Sequence, residues 1–256
     1  MVFVKNVQKR RVSNMAMVIT FMAGISILVG ALVIRMSKNP EKIERLSIAL
    51  ALGSLLSLMI FDLSPEIVEK VSHKNIIQPI VFVILGAAIL KILDIFLPDH
   101  DDTKENHDKE NAAHIGLIAA FAVILHNILE GMTIYSLSLT SVNQGIIFAI
   151  GISLHNIPMG MLIYSTIDDK KRREKSVILS VVTGATLIGG ILMAFISGFL
   201  SEGIVLILLC VATGMIAFIV FDELLPHVLR TRPIKPSIIG AVAGFVLVFI
   251  SCQIAG

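Results

Sequence analysis

Two almost wholly apolar stretches of the chain each carry a histidine followed by an asparagine at their centre. The first, AVILHNILEGMTIY, covers 122–135, and the second, GISLHNIPMGMLIY, covers 151–164. Glu130 follows His126 by four residues, so in a helix the two side chains project from one face. Imidazole nitrogen and carboxylate oxygen are ligands that zinc takes. The pattern therefore indicates metal chemistry inside apolar sequence.

The second stretch repeats this arrangement with one change. His155 and Met159 are again four residues apart, and Asn127 and Asn156 each stand one position after their histidine. Met159 is either a soft thioether ligand or an apolar filler of the core. Pro158 is predicted to remove one backbone hydrogen bond and to open the helix beside His155, which frees a carbonyl oxygen where an ion can pass.

Glu130 cannot stand unpaired in hydrocarbon. A charged residue at the middle of a bilayer costs at least about 2.5 kcal/mol on insertion scales, so Glu130 must face the protein interior and have a partner. That partner is either His126, in a hydrogen-bonded structural cluster, or a divalent cation shared with His126 and His155. Two His-Asn pairs in consecutive apolar stretches favour the cation.

The elements that carry these residues are predicted to be transmembrane helices. Of the 256 residues, 55% are hydrophobic and 16% are charged, and the mean hydropathy is +0.89. The apolar residues form runs near the roughly 20 residues needed to cross a bilayer, and no segment alternates as a membrane strand does. Eight runs are predicted to span: 15–34, 46–63, 76–97, 115–139, 144–167, 177–200, 204–225 and 234–254. Glycines within them are expected to bring helix backbones together, among them Gly184, Gly189, Gly190, Gly240 and Gly244.

The net charge of +2 conceals an uneven distribution across the predicted membrane. Connections on one side carry six Lys and Arg residues, and those on the other carry fourteen, including KKRR at 170–173. The richer side is expected to be cytoplasmic, which places both termini outside. The basic segment KNVQKRR at 5–11 argues for the opposite orientation. Nothing in the composition indicates nucleic-acid binding.

The whole chain, 1–256, is predicted to be one transmembrane domain with one long polar connection. That connection, PDHDDTKENHDKENAAH at 98–114, has three histidines, six acidic residues and no apolar periodicity. Its composition predicts a disordered cytoplasmic loop. His100, His107 and the nearby aspartates either collect metal loosely or belong to a solvated linker.

Two further motifs resemble each other. FDLSPE at 61–66 closes the second run, and FDELLPH at 221–227 closes the seventh. Each combines Phe-Asp with a proline three or four residues later. The match suggests that runs one to three and six to eight are repeats in opposite orientation, as in inverted-repeat transporters.

HNILEG at 126–131 and HNIPMG at 155–160 lie in consecutive runs after a His-containing loop, and together they resemble the paired motifs of the ZIP (Zrt/Irt-like) metal transporters. The stretch 53–66 resembles the second helix of that family, and GMIAFIVFDELLPH at 214–227 closely resembles its seventh. The resemblance implies an all-α integral membrane protein whose eight transmembrane helices form a 3+2+3 inverted repeat. It also implies transport of Zn²⁺, or of Fe²⁺, Mn²⁺ or Cd²⁺, towards the cytoplasm.

By the same resemblance, the metal site falls on eight residues of helices two, four, five and seven: His126, Asn127, Glu130, His155, Asn156, Met159, Asp62 and Glu223. Three departures stand out. Leu129 replaces the usual proline, Met159 replaces a glutamate that bridges a second metal in many members, and VVTGATLIGGIL at 181–192 lacks the acidic residue that many relatives carry. One metal is therefore expected rather than two.

The sequence thus predicts an alternating-access importer of divalent metal, zinc first among the candidates, in a plasma membrane. No prosthetic group is expected. The partners are the metal substrate and the lipid bilayer, with a second copy of the chain as a further candidate. One alternative is an intramembrane metallohydrolase, which needs an open metal position and a separate general base. The other is a non-transporting metal sensor or degenerate homologue, which the change at Met159 and the missing acidic residue of helix six suggest.

Overall fold

The fold, obtained as a computed structural model, is a bundle of eight helices. The structure describes residues 2–71, 76–96, 107–167, 172–196 and 202–255. Within these residues no strand occurs, and all eight helices are long and apolar enough to cross a membrane, which confirms the predicted fold class. They are α1 (Val2–Arg35), α2 (Pro40–Leu58, continued by Met59–Leu63 and Ser64–Lys70), α3 (Ile77–Phe96), α4 (His107–Thr140), α5 (Val142–Thr166), α6 (Arg172–Ile196), α7 (Glu202–Phe218, continued by Ile219–Leu224 and Leu225–Arg230) and α8 (Ile234–Ala255).

The outer surface of the bundle is apolar. Phe195 is 78% exposed and Ile77 is 74% exposed, and most other large exposed hydrophobic side chains also lie on the helices. Soluble monomers rarely expose contiguous apolar surface on this scale. Hydrocarbon is therefore the solvent for this surface, and the protein is a multi-pass membrane protein.

Glycine pairs bring the helices into close contact. The most extensive contacts join α1 with α5, α4 with α6, α2 with α8, and α3 with α7. In each pair, a glycine of either helix lies so close to a backbone carbonyl of the other that a Cβ atom would overlap it. The four glycine pairs are Gly30 with Gly160, Gly131 with Gly189, Gly53 with Gly244, and Gly86 with Gly214. Small residues allow such approach in lipid, where packing rather than hydrophobic burial joins helices.

These contacts follow a two-fold relation. Exchanging α1 with α6, α2 with α7, α3 with α8 and α4 with α5 converts the α1–α5 pair into α6–α4, and the α2–α8 pair into α7–α3. Five crossings separate the start of α1 from the start of α6, so the two repeats run in opposite directions. The predicted 3+2+3 inverted repeat is confirmed.

Both copies of the second repeat helix contain a π-helical turn. In α2 the turn is Met59–Leu63, and Pro65 follows it; in α7 the turn is Ile219–Leu224, and Pro226 follows it. Each proline stands twelve residues after the contact glycine of its helix, Gly53 or Gly214 (65 − 53 and 226 − 214). Proline has no backbone N–H to continue the helical hydrogen bonding, and π turns within helices are frequent at functional positions. The likeness of the two Phe-Asp motifs therefore reflects a shared backbone feature.

Three sequence predictions need correction. Residues 97–106 lie outside the described residues, but 107–114 form the first two turns of α4, so the prediction of a disordered loop is wrong for them. α5 continues as a helix through Pro158 and is not opened there. An added Cβ at Gly184 would meet open space, so Gly184 is not a helix contact. Hydropathy marks the part of a helix that lies in lipid, and α4 extends beyond that part.

Candidate metal site

Three buried side chains of the types that ligate metals meet inside the bundle. Glu130 Oε1 lies 2.9 Å from Nε2 of His126, one turn earlier on α4, and 2.5 Å from Nε2 of His155 on α5. One ligand atom from each residue lies within 4.8 Å of the others. The structure thus brings together the three residues predicted to share an ion, which we call the His–Glu–His triad.

The connection between α4 and α5 explains why these side chains meet. Only Ser141 separates the two helices, so they run antiparallel as neighbours. The Ser141 hydroxyl accepts a hydrogen bond from the Gln144 backbone N–H at 3.5 Å and caps the start of α5. From this turn, His126 and His155 lie at similar distances along their helices, fifteen and fourteen residues away, and their ring centroids are 5.9 Å apart.

The triad is deeply buried and does not satisfy its own polar atoms. Each member is at most 6% exposed. His155 Nε2 and Glu130 Oε1 share a hydrogen bond, whereas both ring nitrogens of His126 and Glu130 Oε2 have no hydrogen-bond partner among the described residues. His126 is near Glu130 by distance, but without hydrogen-bond geometry. An unpaired buried polar group costs about 1–3 kcal/mol, so the arrangement suits an ion better than a closed structural cluster.

A zinc ion matches this donor set. Zinc binds imidazole nitrogen and carboxylate oxygen at about 2.0–2.2 Å, which places two donors of a tetrahedral ion about 3.4 Å apart. The separations between Glu130 and the two histidines are shorter, at 2.9 and 2.5 Å. An ion therefore replaces the His–Glu contacts when it binds, and the donors need to separate by less than about 1 Å to admit it.

A small cavity adjoins the triad. Its volume is about 10 Å³, near the minimum that holds one water molecule. It lies between two groups of helices: α4 and α5 on one side, and α2 and α7 on the other. Its lining residues are Val123, His126, His155, Met159, Ser54, Leu55, Leu58 and Ile216. Met159 therefore faces the site and not lipid.

The lining from α2 and α7 was missed by sequence reasoning. Ser54, Leu58 and Ile216 stand in ordinary apolar runs, and no local signal distinguishes them from other residues of those runs. The one available hint was the resemblance of 53–66 and 214–227 to family helices, which selected the right segments but not these positions.

The two predicted asparagines are both fully buried, with different surroundings. Asn127 Nδ2 donates a hydrogen bond to the Val182 carbonyl oxygen of α6 at 3.2 Å. Asn127 shares its face of α4 with Gly131, which packs against the backbone of α6. It therefore helps to hold α4 against α6. Neither amide atom of Asn156 has a hydrogen-bond partner among the described residues.

Asp62 lies outside the triad but acts on it electrostatically. Its half-buried carboxylate, in the π turn of α2, is within electrostatic range of His155, His126 and Glu130. Glu66, one turn further along α2, is within electrostatic range of Asp62 and of His126. Both carboxylates stand further along α2 than Ser54, Leu55 and Leu58, the α2 residues that line the cavity.

Glu223 lies in the equivalent π turn of α7 and has different surroundings. Together with Asp222 it is within electrostatic range of Lys91 on α3. The Lys91 ammonium forms an ion pair with Asp94 at 2.8 Å and lies 5.5 Å from the centroid of the Phe218 ring. Among the described residues, Glu223 is not a member of the group of ligand atoms that forms the triad.

Known proteins share this sequence pattern. The family model described as ZIP Zinc transporter matches residues 96–251, which include α4 to α7 and most of α8. The Zinc transporter ZupT of Chlorobium chlorochromatii (strain CaD3) is 28% identical over 261 residues, covering 92% of this chain and 96% of that protein. The Zinc transporter ZupT of Akkermansia muciniphila is 32% identical over 181 residues, covering 64% of this chain and 67% of that protein.

Proposed function

This chain belongs to the ZIP zinc transporter family, and we propose that it carries zinc into the cytoplasm, one ion at a time, through the His–Glu–His triad. The family and the two ZupT relatives support transport of a divalent metal, so the protein is a transporter and not the intramembrane hydrolase considered above. Beyond that class of protein, we propose the direction of transport, the mechanism and the ligand set.

One observation carries the proposal. A carboxylate and two imidazoles are buried together inside the helix bundle, and within the described part of the chain the ring nitrogens of His126 and one oxygen of Glu130 have no hydrogen-bond partner. Ionisable residues within a membrane are costly, and those that occur usually mark a substrate or ion path. Late divalent metals accept this set of donors.

The helix contacts support alternating access. α1 contacts α4, α5 and α6, and α4 contacts α5 and α6, so these four helices form a central group; α3 contacts mainly α7, whereas α2 and α8 pack against each other and against α5. The triad belongs wholly to the first group, and the cavity lies where that group meets α2 and α7. Movement of the central group past α2 and α7 exposes the triad to each side in turn, as in other inverted-repeat transporters.

The charge distribution supports an orientation with both termini outside the cell. In that orientation the 98–106 connection and the start of α4 are cytoplasmic, and the side with more Lys and Arg faces the cytoplasm. Asp62 then stands on the extracytoplasmic side of the triad and attracts incoming cations, while Glu223 stands towards the cytoplasmic end of α7. Each chain holds a complete triad, so this mechanism operates in a monomer or in each copy of a homodimer.

Uptake of radioactive zinc by purified protein in proteoliposomes tests the proposal. We expect zinc to accumulate with the wild type and Glu130→Gln to transport less than about one tenth as much, because the amide keeps the shape but removes the only charge of the triad. Glu69→Gln is the matched control, since it removes the same charge from an exposed position on α2. Normal uptake by a folded Glu130→Gln protein contradicts the proposed site, and zinc binding without uptake by the wild type indicates a sensor.

A further inference from the structure

We propose that Met159 gives its thioether sulfur to the transported ion, and that the site consequently selects the borderline and soft ions Zn²⁺ and Cd²⁺ over the hard ions Mn²⁺ and Mg²⁺. This inference rests on the proposed transport site in the His–Glu–His triad and names its substrate class.

The position of Met159 places it with the triad. It follows His155 by one turn of α5, on the same face, and is only 3% exposed. It lines the cavity together with His126 and His155. A long, flexible side chain at this position can bring its sulfur to an ion beside the two imidazoles.

The rest of the cavity wall offers few other ligands. Apart from the two histidines and Met159, its side chains are aliphatic except for Ser54. The Ser54 hydroxyl donates to the Gly244 carbonyl oxygen of α8, at 3.4 Å. The donors that surround an ion in the cavity are therefore two nitrogens, one sulfur and the adjacent Glu130 oxygen. Four donors of this kind suit tetrahedral zinc or cadmium.

Hard ions are disfavoured by both charge and space. Mg²⁺ requires near-octahedral oxygen coordination and usually keeps several water molecules, and Mn²⁺ also prefers oxygen ligands. A cavity of about 10 Å³ has no room for those waters. Within the triad, Glu130 is the only carboxylate and offsets one of the two positive charges. Mg²⁺ and Mn²⁺ bind nitrogen and sulfur ligands weakly. Such an ion would therefore lose its water ligands on entering the site without gaining protein ligands of equal strength.

A second methionine on α5 provides a matched control. Met161 is also buried, at 6% exposure, but it is not among the cavity residues. Replacing either residue by leucine removes one sulfur and keeps an apolar side chain of similar volume, a change that cores usually tolerate. We expect only the change at Met159 to alter the coordination of the bound ion and the selectivity of uptake.

The first measurement is X-ray absorption at the cadmium edge on the intact protein loaded with one equivalent of Cd²⁺. We expect a sulfur scatterer with the wild type and with Met161→Leu, and its loss with Met159→Leu. A wild-type spectrum containing only nitrogen and oxygen overturns the proposal. That spectrum needs no variant, so the proposal remains testable even if a substitution prevents folding.

The second measurement is uptake of Cd²⁺, Zn²⁺ and Mn²⁺ in proteoliposomes. We expect the Cd²⁺ to Zn²⁺ uptake ratio to fall by about fivefold or more in Met159→Leu and to stay unchanged in Met161→Leu. Met159→Glu, which adds a hard oxygen ligand, is expected to increase Mn²⁺ uptake relative to Cd²⁺. Unchanged uptake ratios in both Met159 variants show that Met159 packs in the core and does not bind the ion. Absence of uptake of every ion by the wild type instead contradicts the proposed function.

Discussion

α2 and α7 are equivalent helices of the two repeats, yet they contact the candidate metal site differently. Both pack through a glycine, and both contain a π turn followed by a proline. α2 contributes three residues to the cavity wall, whereas α7 contributes Ile216 alone. The repeat therefore reproduces the backbone of the two helices but not the surface that each presents to the ion.

The acidic residues of the two π turns show the same divergence. Asp62 and Glu223 each stand nine residues after the contact glycine of their helix (62 − 53 and 223 − 214). Phe61, next to Asp62, packs against phenylalanines of α8, whereas α3 presents Lys91 to the Glu223 region. The repeat fixes where a carboxylate stands, and the neighbouring helix determines what that carboxylate acts on.

The largest effect is predicted for the glycine contacts that α2 and α7 have in common. Gly53→Ala and Gly214→Ala should destabilise the protein to a similar extent, because each Cβ would overlap a carbonyl of the paired helix and force the two helices apart. Overpacking of this kind costs about 1–3 kcal/mol, or roughly 2–12 °C in melting temperature. Thermal unfolding in detergent measures it, with Gly184→Ala as the control, since open space surrounds that position. A lower melting temperature for only one of the two variants would show that α2 and α7 are not structurally equivalent at these glycines.

The divergent carboxylates predict an intermediate effect. Asp62→Asn should reduce zinc uptake at low zinc concentration by about tenfold, equivalent to about 1.4 kcal/mol of lost attraction. Glu223→Gln should reduce it by about twofold, because Glu223 is within electrostatic range of Lys91 on α3 and is not a member of the triad. Initial rates across a range of zinc concentrations measure both. Equal losses would show that the two ends of the pathway are functionally symmetric, and higher ionic strength should weaken the Asp62 effect.

The polar connection predicts the smallest effect. Replacing His100 and His107 by asparagine should change the apparent zinc affinity by about threefold at most and leave the maximal rate unaltered, because neither residue belongs to the triad. Concentration-dependent uptake with both substitutions in one chain provides the measurement. A complete loss of transport would place this segment in the ion path.

Much of the metal site was predictable because lipid imposes strict conditions on a sequence. Glu130 has to be buried and paired, and helical spacing places His126 on the same face. His155 was identified because its motif repeats that of His126. The surroundings of Asn127 and Glu223 were not predictable, since they depend on α6 and α3, which are distant in sequence.

The sequence by itself determined the eight spans, the inverted order of the repeats and the three members of the triad. Runs of about 20 apolar residues are required to cross hydrocarbon, and residues four apart in a helix share a face. The tertiary structure alone decided which helices enclose that face. Glycine contacts set the approach of each helix pair, and they bring Ser54 and Ile216 to the cavity that Met159 lines. Helical period specifies the direction of a side chain on its own helix, whereas the partner it meets depends on how the helices pack.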